Sequence, residues 1–257
     1  MPIHGDPNKT LKHVNAIHRR EGASLTHEQL DGILEVIGET SYPKYIDSGY
    51  HAAVFWLSDH KKVLKITFDY SDANAMEIVR KKPDPNAFLK VYEVYEVQPK
   101  KLYAIVAEKL TPLTDAAWDR YFKDFFSYTG GSMDALDYNN LLYSKGLSLE
   151  YVNAIEKSIE EHNKEMREIY QEMQEVDSTN VIKDSEDDWL TTAPSEEAYK
   201  ILRRMGKALE QRRIVFHDFN QSNFMMRGRT PVIVDLGFGD SPAQHIQRLP
   251  YASERGL

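Results

Sequence analysis

The residues best equipped for chemistry lie in one stretch, Ile214 to Gly239, reading IVFHDFNQSNFMMRGRTPVIVDLGFG. An apolar run (Ile214, Val215, Phe216) leads into a polar turn holding Asp218 and Asn223. A second apolar run, Val232-Ile233-Val234, ends in Asp235-Leu236-Gly237. Asn223 follows Asp218 by five residues, and Asp235 follows Asn223 by twelve. Two acids and an amide at the ends of short strands supply hard oxygens for a magnesium ion and a carboxylate to orient a hydroxyl. Taken alone, Asp218 and Asn223 suit an Asx-rich turn between strands equally well. Lys65, in Val63-Leu64-Lys65-Ile66, is the cation to set beside them. Between apolar neighbours in a strand, it either points to solvent by alternation or faces a phosphate.

The spacing D-x-x-x-x-N followed by D-x-G resembles the catalytic signature of the protein-kinase-like superfamily. The compact layout is most like the small serine/threonine kinases of short-tailed bacteriophages. Leu236 stands where that signature usually has Phe, His217 where most protein kinases have Arg, and Phe216 where they have His. Asn220 stands where protein-serine kinases carry a phosphate-contacting Lys. The resemblance implies an α+β, bilobal protein-kinase-like fold, with a small antiparallel-sheet N-lobe and a reduced, mostly helical C-lobe carrying a helical insert. It also implies ATP and Mg2+. By the same likeness Asp218 is the acceptor-orienting base, Asn223 and Asp235 are metal ligands, and Lys65 holds the α- and β-phosphates with Glu77 as its ion-pair partner. Gly49, in Ser48 to Ala52, would cover the phosphates, and the backbone of Glu108 to Leu110 would hydrogen-bond adenine. The acceptors implied are host proteins in the host cytoplasm. Aminoglycoside and choline kinases also lack the Arg, which keeps a small-molecule phosphotransferase in view. A catalytically silent module binding proteins through an acidic insert is the third reading.

The elements that must position these groups follow from periodicity. Thr26 and Gln29 have capping-box spacing, and Leu30, Ile33, Leu34 and Ile37 fall at i, i+3, i+4, i+7, which predicts a helix on the outside of the first lobe. A short helix is expected around Leu11 to Arg20. From Tyr45 the period becomes two, predicting strands through YIDSGYHAAVFWL and KKVLKITF with a turn at Ser58-Asp59-His60. A helix from Ser71 or Asp72 must stop before Pro83. Phe88 to Val97 and Lys101 to Leu110 read as a second hairpin. The boundaries expected are an arm and helix over 1–40, an N-lobe over 41–110 and a C-lobe over 111–257, with a helical and acidic insert at about 130–194.

Within that insert, Asp115 to Tyr128 and Met133 to Tyr143 read as helices. Val152, Ile155, Ile159, His162, Met166, Ile169, Met173 and Val176 then step alternately by three and four along a long helix. An intramolecular packing face is preferred, with a homodimer seam through 152–176 as the alternative. Asp177 to Ala193, rich in acids and without periodicity, reads as a loop. Ser195 caps a last helix with a stripe of Ala198, Ile201, Leu202, Met205, Ala208 and Leu209 that leads into Ile214.

Bulk composition narrows the classes. The chain has 257 residues, 41% hydrophobic and 28% charged, an ordinary globular composition. A net charge of −8 argues against non-specific nucleic-acid binding. No stretch approaches the roughly 18 apolar residues of a membrane span, the N-terminus has no signal-peptide core, and cytoplasmic residence is the expectation. With no cysteine, disulfides, thiolate metal sites and cysteine nucleophiles are excluded.

Overall fold

Reciprocal capping starts the first well-packed helix: the Thr26 side chain accepts from the Gln29 amide at 3.2 Å, and the Gln29 side chain accepts from the Thr26 amide at 2.9 Å. That helix, α2 (His27–Val36), and α1 (Pro7–His18) lay Leu11, Val14, Leu30 and Ile33 on Phe55, Leu64, Ile66 and Val106 of a sheet. Each such aliphatic side chain taken from water stabilises by about 1.5–3 kcal/mol. The computed structural model describes residues 3–18, 24–98, 102–123, 141–142, 146–176, 195–237 and 239–249.

The sheet has six strands in the order β1 (Lys44–Ser48), β2 (Ala52–Trp56), β3 (Lys62–Thr67), β5 (Leu102–Glu108), β4 (Val91–Val97) and β9 (Gln247–Leu249). The first five pair antiparallel, as alternation and tight turns predict. The sixth departs from the all-antiparallel expectation, since β9 pairs parallel to β4 (Tyr95↔Gln247, Val97↔Leu249). Helix α3 (Tyr70–Lys81) follows β3 directly, capped by Asp69, whose carboxylate accepts from the Ser71 amide at 2.8 Å. A second small sheet joins β6 (Thr111–Pro112), β7 (Phe224–Arg227) and β8 (Thr230–Ile233).

The chain divides into two compact units, Met1–Pro112 with Gln211–Leu257, and Leu113–Glu210. The stretch bearing Asp218, Asn223 and Asp235 therefore groups with the N-terminal sheet, where the expected boundaries placed it with the helical part. The reason is hydrogen bonding: the Ile233 amide donates to the Ala87 carbonyl at 2.9 Å, the Leu89 amide to Ile233 at 3.1 Å, and β9 extends the sheet.

The Leu113–Glu210 unit is helical. It holds α4 (Asp115–Trp118), running into a wider π-turn over Asp119–Lys123, then α5 (Leu149–Val176) and α6 (Glu196–Arg212). Gly206 of α6 lies so near Ser148 that a Cβ would come within 2.9 Å of its carbonyl carbon, and Glu210 accepts from the Leu149 amide at 2.8 Å. The stripe on α5 is buried at Val152, Ile155 and Ile159, half-buried at His162 and Met166, and exposed at Ile169 and Met173. All six stripe residues of α6 are buried. Most of the Met133 to Tyr143 helix and the whole acidic loop lie outside the described residues.

Candidate active site

Lys65 sits at mid-strand in β3, opposite Val54 of β2 and Ile105 of β5. Residues directly opposed across a sheet share a face, as do residues two apart in a strand. The face that carries Lys65 therefore also carries Val54, Trp56, Val63 and Ala107. Of these Val54, Trp56 and Val63 are only half-buried, an apolar wall left partly open beside a cation. Solvent does not claim that cation. The Lys65 side chain is 12% exposed, with its Nζ 2.7 Å from Asp72 Oδ2 and 2.9 Å from Asp235 Oδ2. Burial presses the ammonium down, but the attraction of Asp235 and Asp72 outweighs it and holds the group above the ordinary lysine range.

The partner of Lys65 on α3 is Asp72, not Glu77. Glu77 is buried, but it faces its own helix, accepting from Arg80 Nε at 2.7 Å and Nη2 at 2.8 Å and pairing with Lys81 at 3.3 Å. Asp72, 1% exposed in the first turn of α3, meets Lys65 with one oxygen and accepts from the Leu236 amide at 3.4 Å with the other. Burial pushes its carboxyl up to about 7 against the pull of Lys65, and the nearby Asp235 charge adds to the rise.

Asp235 keeps 40% of its side chain exposed and is thus the member of the trio that a ligand can reach. Partial burial would raise its pKa, yet Lys65 and a 3.0 Å bond from the Gly237 amide hold it below the usual carboxylate value. A Cβ on Gly237 would come within 2.8 Å of Asp69 Oδ2 and 3.3 Å of Asp235 Oδ1, so a side chain there would have to push those carboxylates aside. Gly239 is more tightly constrained still: its Cβ would sit 2.0 Å from the Val215 carbonyl oxygen.

Asn223 is tied to the residue before Asp235, since its carbonyl accepts from the Val234 amide at 2.9 Å. Its side-chain nitrogen donates to the Asp218 carbonyl at 2.8 Å, which commits the amide group and leaves Oδ1 as a donor atom for a cation. Asn220 Nδ2 donates to Asp218 Oδ1 at 2.9 Å, while Asn220 Oδ1 accepts from the Ser222 amide at 3.0 Å and caps the 3-10 turn Gln221–Asn223. The loop is braced from below by Phe216, wholly buried, edge-on to Phe219 and Phe224 at centroid distances of 5.1 and 6.0 Å. Asp72, Asp69 and Asn220 were not singled out as site residues in the sequence. Asp69 carries a local signal as an N-cap before α3, and Asn220 carries one as the residue standing at the lysine position of the signature that the stretch resembles; Asp72 carries none.

Gly49 turns β1 into β2, its amide donating to the Ala52 carbonyl at 2.9 Å. A Cβ there would meet nothing within 4 Å, so the turn itself does not demand glycine. At the end of β5 the Glu108 amide donates to Lys90 and the Lys109 amide to Lys61, each at 2.9 Å. Those two N–H groups are committed to the sheet, which narrows the expected backbone recognition by Glu108 to Leu110 to the Leu110 amide and the carbonyls. The Glu108 carboxylate is committed as well, to the Lys90 amide at 2.6 Å and to Arg227.

No group of three or more His, Cys, Asp or Glu side chains able to hold a metal ion occurs among the described residues. The donors on offer are one half-exposed carboxylate, Asp235, and one amide oxygen, Asn223. That sparse oxygen set suits a magnesium ion that completes its shell with phosphate and water. No protein-family model matches this sequence, and no curated protein matches it. Among solved structures the chain is similar to aminoglycoside phosphotransferase APH(2'')-Ib, ADP-bound, at 13% identity and a TM-score of 0.36, over 85% of this chain and 73% of that one. At that TM-score the likeness carries no weight for function. No helix among the described residues is long and apolar enough to cross a membrane.

Proposed function

We propose that this chain is a magnesium-dependent phosphotransferase that moves the γ-phosphoryl group of ATP to a hydroxyl. The observation that carries this reading is the 2.9 Å contact between Lys65 and Asp235, 170 residues apart in sequence, on the sheet face with the half-open apolar wall. In that reading the wall of Val54, Trp56 and Val63 takes the adenine. Lys65 turns from Asp235 towards the α- and β-phosphates while Asp72 keeps its ammonium in place. Asp235 and Asn223 would hold the magnesium ion, which when bound neutralises charge on the phosphate oxygens. Asp218, its carboxylate fixed by Asn220, accepts the proton of the acceptor hydroxyl as the new O–P bond forms and the bond to the β-phosphate bridging oxygen breaks.

The acceptor in the first reading is a serine or threonine of a protein, a host protein for a phage-type kinase. One observation favours a small-molecule hydroxyl instead: after Gly239 the chain turns back through Asp240 to β9 on the sheet edge, where protein kinases build a ledge for a peptide. Incubation with γ-labelled ATP and bacterial lysate separates the two. Labelled proteins lost on Asp218→Ala support the protein kinase, and labelled metabolites support the small-molecule enzyme. Absence of any transfer overturns the phosphotransferase reading.

A further inference from the structure

We propose that Asn74 is a positioning residue for the phosphate clamp. By tying Ser241–Gln244 to α3, it holds the first turn of that helix where Asp72 meets both Lys65 and the Leu236 amide. The catalytic consequence of this rests on the phosphotransferase reading; the positioning itself does not. Asparagine is a poor helix former, and at 2% exposure its amide group must find partners inside the protein. It finds them in the chain that follows the site. Asn74 Nδ2 donates to Ser241 Oγ at 2.7 Å and to the Pro242 carbonyl at 3.0 Å. Its Oδ1 accepts from the Gln244 amide at 2.6 Å and from the Tyr70 hydroxyl at 3.3 Å. Both donors and both lone pairs are used.

The strap so gripped is fixed at both ends. The Asp240 carbonyl accepts from the Val215 amide at 2.7 Å, and β9 is paired along β4. Asn74, two residues beyond Asp72, therefore joins α3 to a stretch of backbone that is hydrogen-bonded at both ends. Lys81 Nζ, donating to Gln244 Oε1 at 3.2 Å, adds a second and more exposed link. A short carboxylate in a buried first turn reaches Lys65 and Leu236 together from one helix orientation only, and this grip sets it.

The test measures hydrogen exchange at the Leu236 and Gln244 amides, and KM for ATP, in Asn74→Ala, Asp72→Asn, the double variant and the wild type. Exchange at Leu236 is expected to quicken about fivefold in Asn74→Ala, the equilibrium consequence of losing about one buried hydrogen bond. KM for ATP should rise by a similar factor with kcat less affected, and the double variant should be no worse than Asp72→Asn alone. Ser241→Ala, which leaves α3 untouched, should shift Leu236 exchange the same way by a smaller factor, and it serves if Asn74→Ala does not fold. Faster exchange at Gln244 with none at Leu236 would reduce Asn74 to a strap anchor and overturn the proposal, as would effects that multiply in the double variant. Should the wild type transfer no phosphate, the phosphotransferase reading falls, and Leu236 exchange still decides the role of Asn74.

Discussion

Replacing Lys65 by Met keeps an unbranched stem of similar length and deletes the ammonium that sits between two carboxylates. The two acids respond differently. Asp235 is 40% exposed and takes up water when its partner leaves, so its loss is small. The Asp72 side chain is 2% exposed and has no such recourse. Leaving one charge of a buried pair unpaired costs about 3–5 kcal/mol. Asp72 can escape that cost by holding a proton, and its folded pKa already stands at about 7, above the ordinary carboxyl value. A group raised in this way lends its full stability at acid pH and loses it as the pH climbs through the folded value. Removing Lys65, which pulls the Asp72 value down, raises it further. Lys65→Met should therefore be tolerated at pH 5, where Asp72 is protonated, and strongly destabilised at pH 8. With a denaturant slope of about 2–3 kcal/mol/M for a chain of this size, the urea midpoint should fall by about 1–2 M at pH 8 and by much less at pH 5. Urea melts of both proteins at the two pH values measure this. Equal losses at both, or none at pH 8, would show that Asp72 is not the buried, proton-holding partner described here.

Three further outcomes follow from the site. Asp72→Asn should raise KM for ATP about tenfold through loss of Lys65 orientation, whereas Glu77→Gln should leave KM unchanged and cost about 1–2 kcal/mol of stability from its bond to Arg80; steady-state kinetics with thermal melts separate the two. Gly239→Ala, with its Cβ 2.0 Å from the Val215 oxygen, should destabilise by about 3 kcal/mol or more, while Gly49→Ala, which meets nothing, should stay within about 0.5 kcal/mol in the same melts. Asp218→Ala should cut phosphoryl transfer by about 10²–10⁴-fold while nucleotide binding persists, as read by labelled ATP turnover beside calorimetry.

Much of the architecture could be read from local pattern because local physics decides it. The Thr26 capping box, the alternation through β2 and β3 and the stop before Pro83 all appear where expected. Lys65 and Asp235 were legible as candidates through the D-x-x-x-x-N followed by D-x-G spacing and the place of Lys65 before an acid-bearing helix, since alternation alone leaves a strand lysine facing solvent as readily. Their meeting was not, since 170 residues separate them. The partner on α3 was misassigned for a geometric reason. The link from Thr67 to Tyr70 is so short that the first turn of the helix lies beside the end of β3. Glu77, five residues beyond Asp72, is carried about 7.5 Å up the axis and about 140° around it, away from Lys65 and towards Arg80. Strand β9 is three residues long and owes its existence to β4, so no local pattern announces it. Asn74 was illegible for the same reason: apart from Tyr70, its partners lie some 170 residues downstream.

The most direct test of the site is calorimetric titration of ATP into the wild type and Asp235→Asn, each with and without magnesium. One nucleotide should bind per chain to the wild type, more tightly with magnesium than without, and Asp235→Asn should lose that magnesium dependence. Nucleotide binding that ignores both the metal and the Asp235 carboxylate, or no binding to the wild type at millimolar ATP, would contradict a metal–nucleotide site at Lys65 and Asp235.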